Sequence, residues 1–291
     1  MNAFKKFIDI SLVKPLMGAE GAFDLNVDIA IFERQFVALC GPSGAGKTSL
    51  LRLIAGLDKP QIGQIDAQDD IWFSSQRQIN KRVQNRHIGF VFQDYALFPN
   101  MSVQKNLYYS IKEKHKKKIA LDYLALVGLE NLAHVYPSQL SGGQQQRLAL
   151  IRALASKPKL LLLDEPLSAL DPHMRLFLQG EIRRLHDLFE TTTIMISHDK
   201  QDIISMADRI VELNAGKIVT DKNLKDYRQN KVHNKLEMIG EILSLADEDG
   251  FVIVKTLGQT IKQKIDNLPQ GFKKGDVVKL CCDHLKFNAA E

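Results

Sequence analysis

Short apolar runs alternate with stretches of helical periodicity over most of the chain. The runs predict buried strands at residues 36–40, 88–92, 160–163 and 193–196. Apolar residues recur at helical spacing over residues 48–57, 144–155 and 172–189. Because strands that alternate with helices usually form parallel sheets, this pattern predicts the α/β class with a mostly parallel sheet.

The strand pattern lapses in the middle of this region. Helical periods dominate from residue 98 to residue 137, so we expect a helical insert at about residues 98–155. The insert contains a basic run, residues 112–118, with five lysines. Such a run is typical of a solvated helix face, and a contact with a membrane surface or a partner is the alternative.

The pattern changes again towards the C-terminal end. Residues 221–235 are polar and lack apolar periodicity, which is typical of a linker. Beyond them, β-rich runs occur at residues 238–245, 251–257, 260–265 and 277–282. We therefore expect two domains, the first at residues 1–225 and a small all-β, barrel-like domain at residues 236–291.

Composition and charge narrow the classes of function. The chain has 291 residues, 45% hydrophobic and 25% charged, as in ordinary globular proteins. Its net charge of +5 is mild for this length, so we expect no nucleic-acid partner. We expect no membrane helix, because no apolar run approaches the roughly 20 residues that one needs. The absence of a visible export signal and three cysteines without metal-ligand spacing favour the cytoplasm.

A glycine-rich turn lies between the first predicted strand and the first predicted helix. Two glycines separated by four residues, then a lysine and a hydroxyl residue, match the phosphate-loop pattern. Backbone N–H groups there can surround phosphate oxygens, Lys47 can add a charge, and Thr48 can offer a hydroxyl to Mg²⁺. A purely structural turn is the alternative. The predicted nucleotide-binding residues are Gly41, Pro42, Ser43, Gly44, Ala45, Gly46, Lys47, Thr48 and Ser49.

Two acidic residues, Asp164 and Glu165, follow a predicted strand of four leucines. The carboxyl ends of parallel strands form the ligand-facing edge of such a sheet. Asp164 can hold Mg²⁺ through water, and Glu165 can accept a proton from a water that attacks a terminal phosphate. Many strands end in solvated carboxylates, so the acidic pair alone is weak evidence of a site. Its occurrence after a phosphate loop in the same chain makes it a candidate metal and catalytic site.

A second helix start also suits phosphate. Ser141, Gly142, Gly143 and Gln144 combine free N–H groups with a hydroxyl at the beginning of a predicted helix. Helix capping by Ser141 is the structural alternative. One nucleotide does not obviously need two such sites in a single chain.

These motifs together resemble the ATP-binding subunits of ABC transporters, in which residues 141–144 correspond to the family signature. The resemblance runs from about residue 36 to about residue 219. It implies ATP and Mg²⁺ as cofactors and a head-to-tail homodimer. In such a dimer, Lys47 and Glu165 of one subunit would face the signature of the other across ATP, which accounts for the second site.

Three further residues fall in family order and receive roles from the resemblance. It implies that Gln93 touches Mg²⁺ and the attacking water, that His198 contacts the terminal phosphate, and that Asp171, in the run after the acidic pair, links the two subunits. Taken alone, His198 is more typical of a structural histidine. Family members usually stack adenine on an aromatic residue, but residues 15–20 contain none, and the alternation around Phe23 favours core packing for that side chain.

The resemblance also implies partners. Without a membrane helix, a member of this family works with a separate integral membrane permease and, indirectly, with a solute-binding protein, at the cytoplasmic face of the membrane. Such separation is commoner among importers. Residues 94–107 resemble the region that couples to the permease, and plain packing of the insert is the alternative.

The transported solute is the least determined property. Residues 70–73 and 86–99 most resemble molybdate importers, and sulfate, iron and polyamine importers share much of the same sequence. The C-terminal domain resembles the oxyanion-binding modules of such cassettes, or it is a regulatory or dimerising appendage. We expect an ATPase that energises uptake of a small oxyanion, molybdate first. The alternative class is a soluble ABC ATPase that acts on nucleic acid or ribosomes.

Overall fold

The structure is a computed structural model and describes residues 5–18, 21–168, 170, 172–224, 236–244, 251–256, 259–264 and 277–282. The chain divides into two compact units, Met1–Lys225 and Asp226–Glu291.

The first unit is built on one mixed sheet. Its strands among the described residues are β1 (Lys6–Gly18), β2 (Gly21–Phe32), β3 (Phe36–Cys40), β4 (Ile62–Ala67), β5 (Asp70–Ser74), β6 (Ile79–Asn80), β7 (Ile88–Val91), β8 (Leu160–Asp164), β9 (Thr192–Ile196), β10 (Arg209–Asn214) and β11 (Lys217–Asn223). Their order across the sheet is β6-β5-β4-β1-β2-β11-β10-β3-β9-β8-β7.

The two halves of this sheet pair differently. Strands β10, β3, β9, β8 and β7 are parallel neighbours. Strands β6, β5, β4, β1 and β2 form an antiparallel series. The α/β class is therefore confirmed, but the sheet is mixed rather than mostly parallel. An antiparallel sheet can leave one face in water, so its strands need not be continuous apolar runs. The sequence pattern therefore predicted these strands less clearly.

The helices of the first unit are α1 (Lys47–Ala55), α2 (Val103–Tyr108), α3 (Lys116–Leu126), α4 (Gly142–Leu154), α5 (Pro172–Phe189) and α6 (Lys200–Met206). Short 3₁₀ turns occur at Val83–Asn85, Glu130–Leu132 and Pro137–Gln139. Helices α2, α3 and α4 all fall between β7 and β8 in the chain.

A continuous apolar core holds the strands that lead to the candidate site. Every residue of β8 and of β9 is buried, which is why both appear in the sequence as unbroken runs. One face of α1, with Leu50, Leu53 and Ile54, packs into the same core. This packing fixes the carboxyl ends of β3, β8 and β9 at one edge of the sheet.

The second unit contains four described strands, β12 (Leu236–Ser244), β13 (Phe251–Thr256), β14 (Gln259–Lys264) and β15 (Val277–Cys282). They form an antiparallel sheet in the order β14-β13-β12-β15. Among the described residues β14 and β15 do not pair with each other, so closure into a barrel remains a prediction.

Candidate functional site

The loop between β3 and α1 has the backbone of a phosphate cradle. Gly41, Gly44 and Gly46 all have positive φ angles, of 132°, 78° and 99°. At Gly41 a Cβ atom would lie 1.9 Å from the backbone oxygen of Leu213. A side chain is therefore excluded at this point, and glycine lets the loop turn sharply from the strand into the helix.

Lys47 is held inside this loop. Its Nζ donates hydrogen bonds to the backbone oxygens of Gly41 and Pro42, at 2.9 and 2.8 Å, and the residue is only 8% exposed. The ammonium group thus lies beside the N-terminus of α1, where the helix dipole also favours an anion. The loop combines a fixed positive charge with free backbone N–H groups.

Thr48 and Asp164 meet across the site. The Thr48 hydroxyl donates to Asp164 Oδ1 at 3.1 Å. Burial raises the pKa of Asp164 above its ordinary value, and the hydrogen bond from Thr48 opposes this rise. A hydroxyl and a carboxylate oxygen are hard ligands of the kind that Mg²⁺ takes. Among the residues that the structure describes, no cluster of three or more His, Cys, Asp or Glu side chains could hold a metal ion. Phosphate and water oxygens would therefore have to complete a magnesium shell here.

Glu165, which follows β8, lies close to side chains that follow the two neighbouring strands β7 and β9. Gln93, just beyond β7, places Nε2 3.4 Å from Glu165 Oε2. His198, just beyond β9, places Nδ1 3.9 Å from the same carboxylate oxygen. Glu165 itself has a φ of 47°, which is uncommon for a residue with a side chain. Strain of this kind concentrates at functional sites, where the fold holds a side chain in a required direction.

The segment that begins α4 is capped as the structural alternative predicted. The Ser141 hydroxyl accepts from Gln144 N at 3.4 Å, and Gln144 Oε1 accepts from Ser141 N at 2.9 Å. A Cβ on Gly143 would lie 2.7 Å from Met174 Sδ in α5, whereas one on Gly142 would meet open space. Among the described residues, no hydrogen bond joins this segment to the phosphate loop.

Asp171 lies outside the described residues. Ser168, in the same run, donates its hydroxyl to the backbone oxygen of Glu165 at 3.1 Å. Ser49 lies within the first turn of α1 and is partly exposed.

An open cavity of about 430 Å³ adjoins the phosphate loop. The hairpin end formed by Gly18 and Phe23 lines one part of it, and Asn214 with Ala215 lines another. Phe23 is partly exposed and is absent from the core cluster. The interpretation of Phe23 as a core side chain is therefore wrong, because the hairpin carries it past the core to the loop. Asn214 and Ala215 were not anticipated, since only the pairing of β10 beside β3 brings them here.

A second groove, of about 350 Å³, lies beside the strand that leads to Gln93. Phe90, Phe98 and Tyr109 are among its lining residues, and Tyr109 is 75% exposed. Arg152 of α4 supports the rim by donating to the backbone oxygens of Tyr95 and Ala96, at 3.0 and 2.8 Å. The predicted coupling region, residues 94–107, thus contributes to an exposed apolar groove.

Comparison with known proteins agrees with this geometry. A family profile described as ABC transporter matches residues 25–168. The probable sulfate/thiosulfate import ATP-binding protein of Chlorella vulgaris is 41% identical over 229 residues, which are 76% of this chain and 94% of that protein. The chain belongs to the ABC transporter family of ATP-binding cassettes, as the motifs predicted.

Further relatives carry related names. The sulfate/thiosulfate import ATP-binding protein of Mesostigma viride is 46% identical over 199 residues, which are 66% of this chain and 55% of that protein. The protein with the same name from Synechococcus elongatus is 44% identical over 217 residues, 72% of this chain and 61% of that protein. The chain thus spans little more than half the length of several relatives that it matches.

A solved structure supports the fold and the family. The dimeric structure of MJ0796, a bacterial ABC transporter cassette, aligns with a TM-score of 0.63 at 30% identity, covering 75% of this chain and 98% of that one. A post-hydrolysis state of that cassette, bound to ADP and phosphate, aligns equally well. No helix within the described part of this chain has the length and apolar character needed to cross a membrane.

Proposed function

We propose that the chain is the ATP-hydrolysing subunit of an ABC importer for sulfate-class oxyanions. The observation that carries the proposal is the contact of Thr48 with Asp164 immediately beside Glu165, at the mouth of the phosphate loop. The expectation of molybdate finds no support in the relatives, whose names refer to sulfate and thiosulfate import. Their names favour the sulfate alternative.

In this proposal the phosphate loop binds the ATP phosphates. The backbone N–H groups of the loop from Ser43 to Thr48 and the ammonium of Lys47 offset the negative charge. Thr48 and Asp164 would hold Mg²⁺, which would neutralise charge on the outer phosphates. Asp164 must be ionised for this role, and the hydroxyl of Thr48 favours its ionised form.

Hydrolysis then depends on Glu165. Its carboxylate accepts the proton of the attacking water, which makes that water a better nucleophile. Gln93 Nε2 donates a hydrogen bond to Glu165 Oε2. This hydrogen bond orients the carboxylate that accepts the proton. His198 is 62% exposed on its side chain, so its other ring nitrogen is free to donate to the terminal phosphate.

A second cassette completes each site. Ser141 and Gly142 are exposed at the start of α4, Gly143 next to them is buried, and among the described residues no hydrogen bond joins this segment to the phosphate loop of its own chain. We propose a head-to-tail homodimer in which this signature contacts the ATP of the other subunit. Closure on ATP and reopening after hydrolysis would drive the permease.

The permease docks in the apolar groove lined by Phe90, Phe98 and Tyr109. An exposed aromatic groove of this size suits an amphipathic helix of an integral membrane partner. Through that partner the chain would sit at the cytoplasmic face of the membrane and respond indirectly to a solute-binding protein.

Replacing the proposed base tests the chemistry. Glu165→Gln keeps the shape of the side chain but cannot take a proton, so ATP turnover should fall about 10²- to 10⁴-fold while ATP binding persists. Glu190→Gln, at an exposed surface carboxylate paired with Arg34, is the matched control and should leave turnover unchanged. Near-normal turnover in Glu165→Gln would remove the assignment.

Transport is tested by uptake of labelled sulfate in cells that lack the gene, with and without its restoration. We expect restored uptake that thiosulfate competes away and excess molybdate does not. The outcome that would instead identify molybdate as the solute is molybdate uptake that depends on the gene, is not reduced by excess sulfate and is blocked by tungstate. Uptake that never depends on the gene would remove the transport role and leave the ATPase.

A further inference from the structure

The helical insert carries a strongly basic surface that the proposed ATPase site does not use. We define the basic patch as Lys112, Lys114, His115, Lys116, Lys117 and Lys118, all of them exposed. Five of the six line an open surface depression of about 650 Å³, together with Tyr108 and Leu121. Four lysines that share one concave surface favour the alternative of a membrane or partner contact over the solvated helix face that the sequence pattern favoured.

The charges of the patch are not neutralised within the described chain. The one acidic residue in this run, Glu113, is held by Lys157, with Nζ 2.7 Å from Oε1. Among the described residues, no ion pair reaches a lysine of the patch. Lys116 makes only a neutral contact, donating to the backbone oxygen of Tyr108 at 3.2 Å. The full positive charge therefore faces outward.

The position of the lysines adds to this field. Lys116, Lys117 and Lys118 form the first turn of α3, and that turn contains no acidic residue. Cations are unfavourable at a helix N-terminus, where the dipole is already positive. These lysines therefore lower the stability of the isolated chain. A negatively charged partner surface would relieve the repulsion, so their position favours such a partner.

The composition of the patch indicates which anionic partner it fits. It has no arginine, the side chain best shaped for paired contacts with nucleic-acid phosphates, and lysines act instead as point charges. Exposed apolar groups adjoin it, with Tyr109 at 75% and Leu121 at 37% exposure. Lysines beside exposed aromatic and aliphatic groups match the boundary of a bilayer, where amphipathic side chains sit among charged headgroups.

The patch also adjoins the groove described above, since Tyr108 lines the depression and Tyr109 lines the groove. We propose that the basic patch binds the anionic phospholipid surface of the membrane next to the permease. The location beside a permease rests on the proposed function, whereas affinity for anionic lipid is a property of the patch itself.

Co-sedimentation of the full chain with lipid vesicles tests the proposal. The chain should bind vesicles of phosphatidylglycerol and phosphatidylcholine in equal parts, and not vesicles of phosphatidylcholine alone, with binding weakened by salt. The variant K114Q/K117Q/K118Q should lose about 100-fold in affinity, since each of the three lysines near an anionic surface contributes about fivefold. Glutamine preserves helix propensity, and an unchanged thermal unfolding curve would show that the variant is folded.

The matched control is K5Q/K59Q/K222Q, which removes the same charge from exposed lysines elsewhere. It should bind anionic vesicles within about twofold of the unaltered chain. Equal loss in both variants, or equal binding to the two kinds of vesicle, would overturn the proposal. Tighter binding of duplex DNA than of anionic vesicles, lost in the patch variant, would overturn it in favour of nucleic acid.

Basal ATP turnover separates this proposal from the proposed function. Both triple variants should keep the turnover of the unaltered chain, because none of their lysines belongs to the nucleotide site. Normal turnover without vesicle binding would overturn the membrane contact and leave the ATPase standing. Vesicle binding without turnover would support the contact and count against the ATPase.

Discussion

The hydroxyl of Thr48 donates to Oδ1 of Asp164 over 3.1 Å, which ties the first turn of α1 to the last residue of β8. This hydrogen bond spans 116 positions of sequence and joins the phosphate loop to the acidic strand end. It sets the two oxygen atoms that we propose as Mg²⁺ ligands side by side. Preorganised ligands of this kind cost little to order when a metal ion binds.

Replacing the hydroxyl of Thr48 should weaken the use of Mg²⁺. In Thr48→Val the side chain keeps its shape but loses a ligand, and Asp164 loses the hydrogen bond that favours its ionised form. We expect the Mg²⁺ concentration for half-maximal ATP turnover to rise at least about tenfold. Thr48→Ser retains the hydroxyl and should stay near the unaltered value. A titration of turnover against Mg²⁺ that does not distinguish the two variants would contradict the role.

Arg86 should be a major determinant of stability. It is 1% exposed, and burial lowers its pKa to about 10, so it stays charged at neutral pH. Its guanidinium donates, at 2.8 to 3.3 Å, to the backbone oxygens of Leu53, Ile54, Trp72 and Lys81 and to Asn80 Oδ1. These bonds satisfy carbonyls at the C-terminal end of α1 and join them to β5 and β6.

In Arg86→Met those acceptors lose their donor, and each buried unsatisfied group costs about 1–3 kcal/mol. We expect the free energy of unfolding, measured in urea, to fall by about 3 kcal/mol or more. The exposed Arg77, with no ion pair described for it, provides the control. Arg77→Met should change stability by no more than about 0.5 kcal/mol. A similar small effect at both positions would show that the Arg86 network contributes little.

Stability should depend on pH through His186. This side chain is buried, its Nδ1 lies 2.8 Å from Thr193 Oγ1, and its ring packs on Phe36. Burial, assisted by the charge of Arg183, lowers the pKa of His186 below its ordinary value of 6.5. As the pH falls below 6.5, the unfolded chain takes up a proton that the folded chain does not, so folding is disfavoured.

The loss should begin near pH 6.5 and continue down to the folded-state pKa, with a slope of up to about 1.4 kcal/mol per pH unit. His186→Gln removes this titration and leaves the other histidines unchanged. We therefore expect the difference in unfolding free energy between the two proteins to shrink as the pH falls from about 7.5 to about 5.5. A difference that stays constant with pH would show that His186 does not titrate in this way.

Two glycines of the phosphate loop, Gly41 and Gly44, should differ sharply in their tolerance of substitution by alanine. Gly41→Ala would set a methyl group 1.9 Å from the backbone oxygen of Leu213, and that backbone cannot move without disturbing β10. We expect a loss of at least about 3 kcal/mol in unfolding free energy, together with loss of ATP binding. Gly44→Ala also has a positive φ but meets no atom within 4 Å. It should cost only about 1 kcal/mol.

Several parts of this molecule were predictable because their signals are local. The apolar runs that predicted strands correspond to β3, β7, β8 and β9. The helical periods correspond to α1, α4 and α5, with ends within a few residues. The antiparallel hairpins β4–β5 and β5–β6 were missed, because strands with one face towards solvent lack continuous apolar runs. Arg86 was also missed, since a lone arginine in a polar stretch carries no sign of burial.

The sequence by itself determined the phosphate loop, the acidic strand end and the family, since each depends on residues adjacent in the chain and on backbone angles that glycine permits. The family resemblance assigned Gln93, Glu165 and His198 to one site. Only the tertiary structure decided that Gln93 and His198 lie 3.4 and 3.9 Å from the Glu165 carboxylate, because the three residues follow strands whose order in the sheet is set by long-range packing. The position of Phe23 also depended on the tertiary structure. The alternation of apolar residues assigned this side chain to the core, whereas the β1–β2 hairpin places it beside the phosphate loop. Local steric rules can be read along a chain, whereas contacts between distant segments depend on how the core brings them together.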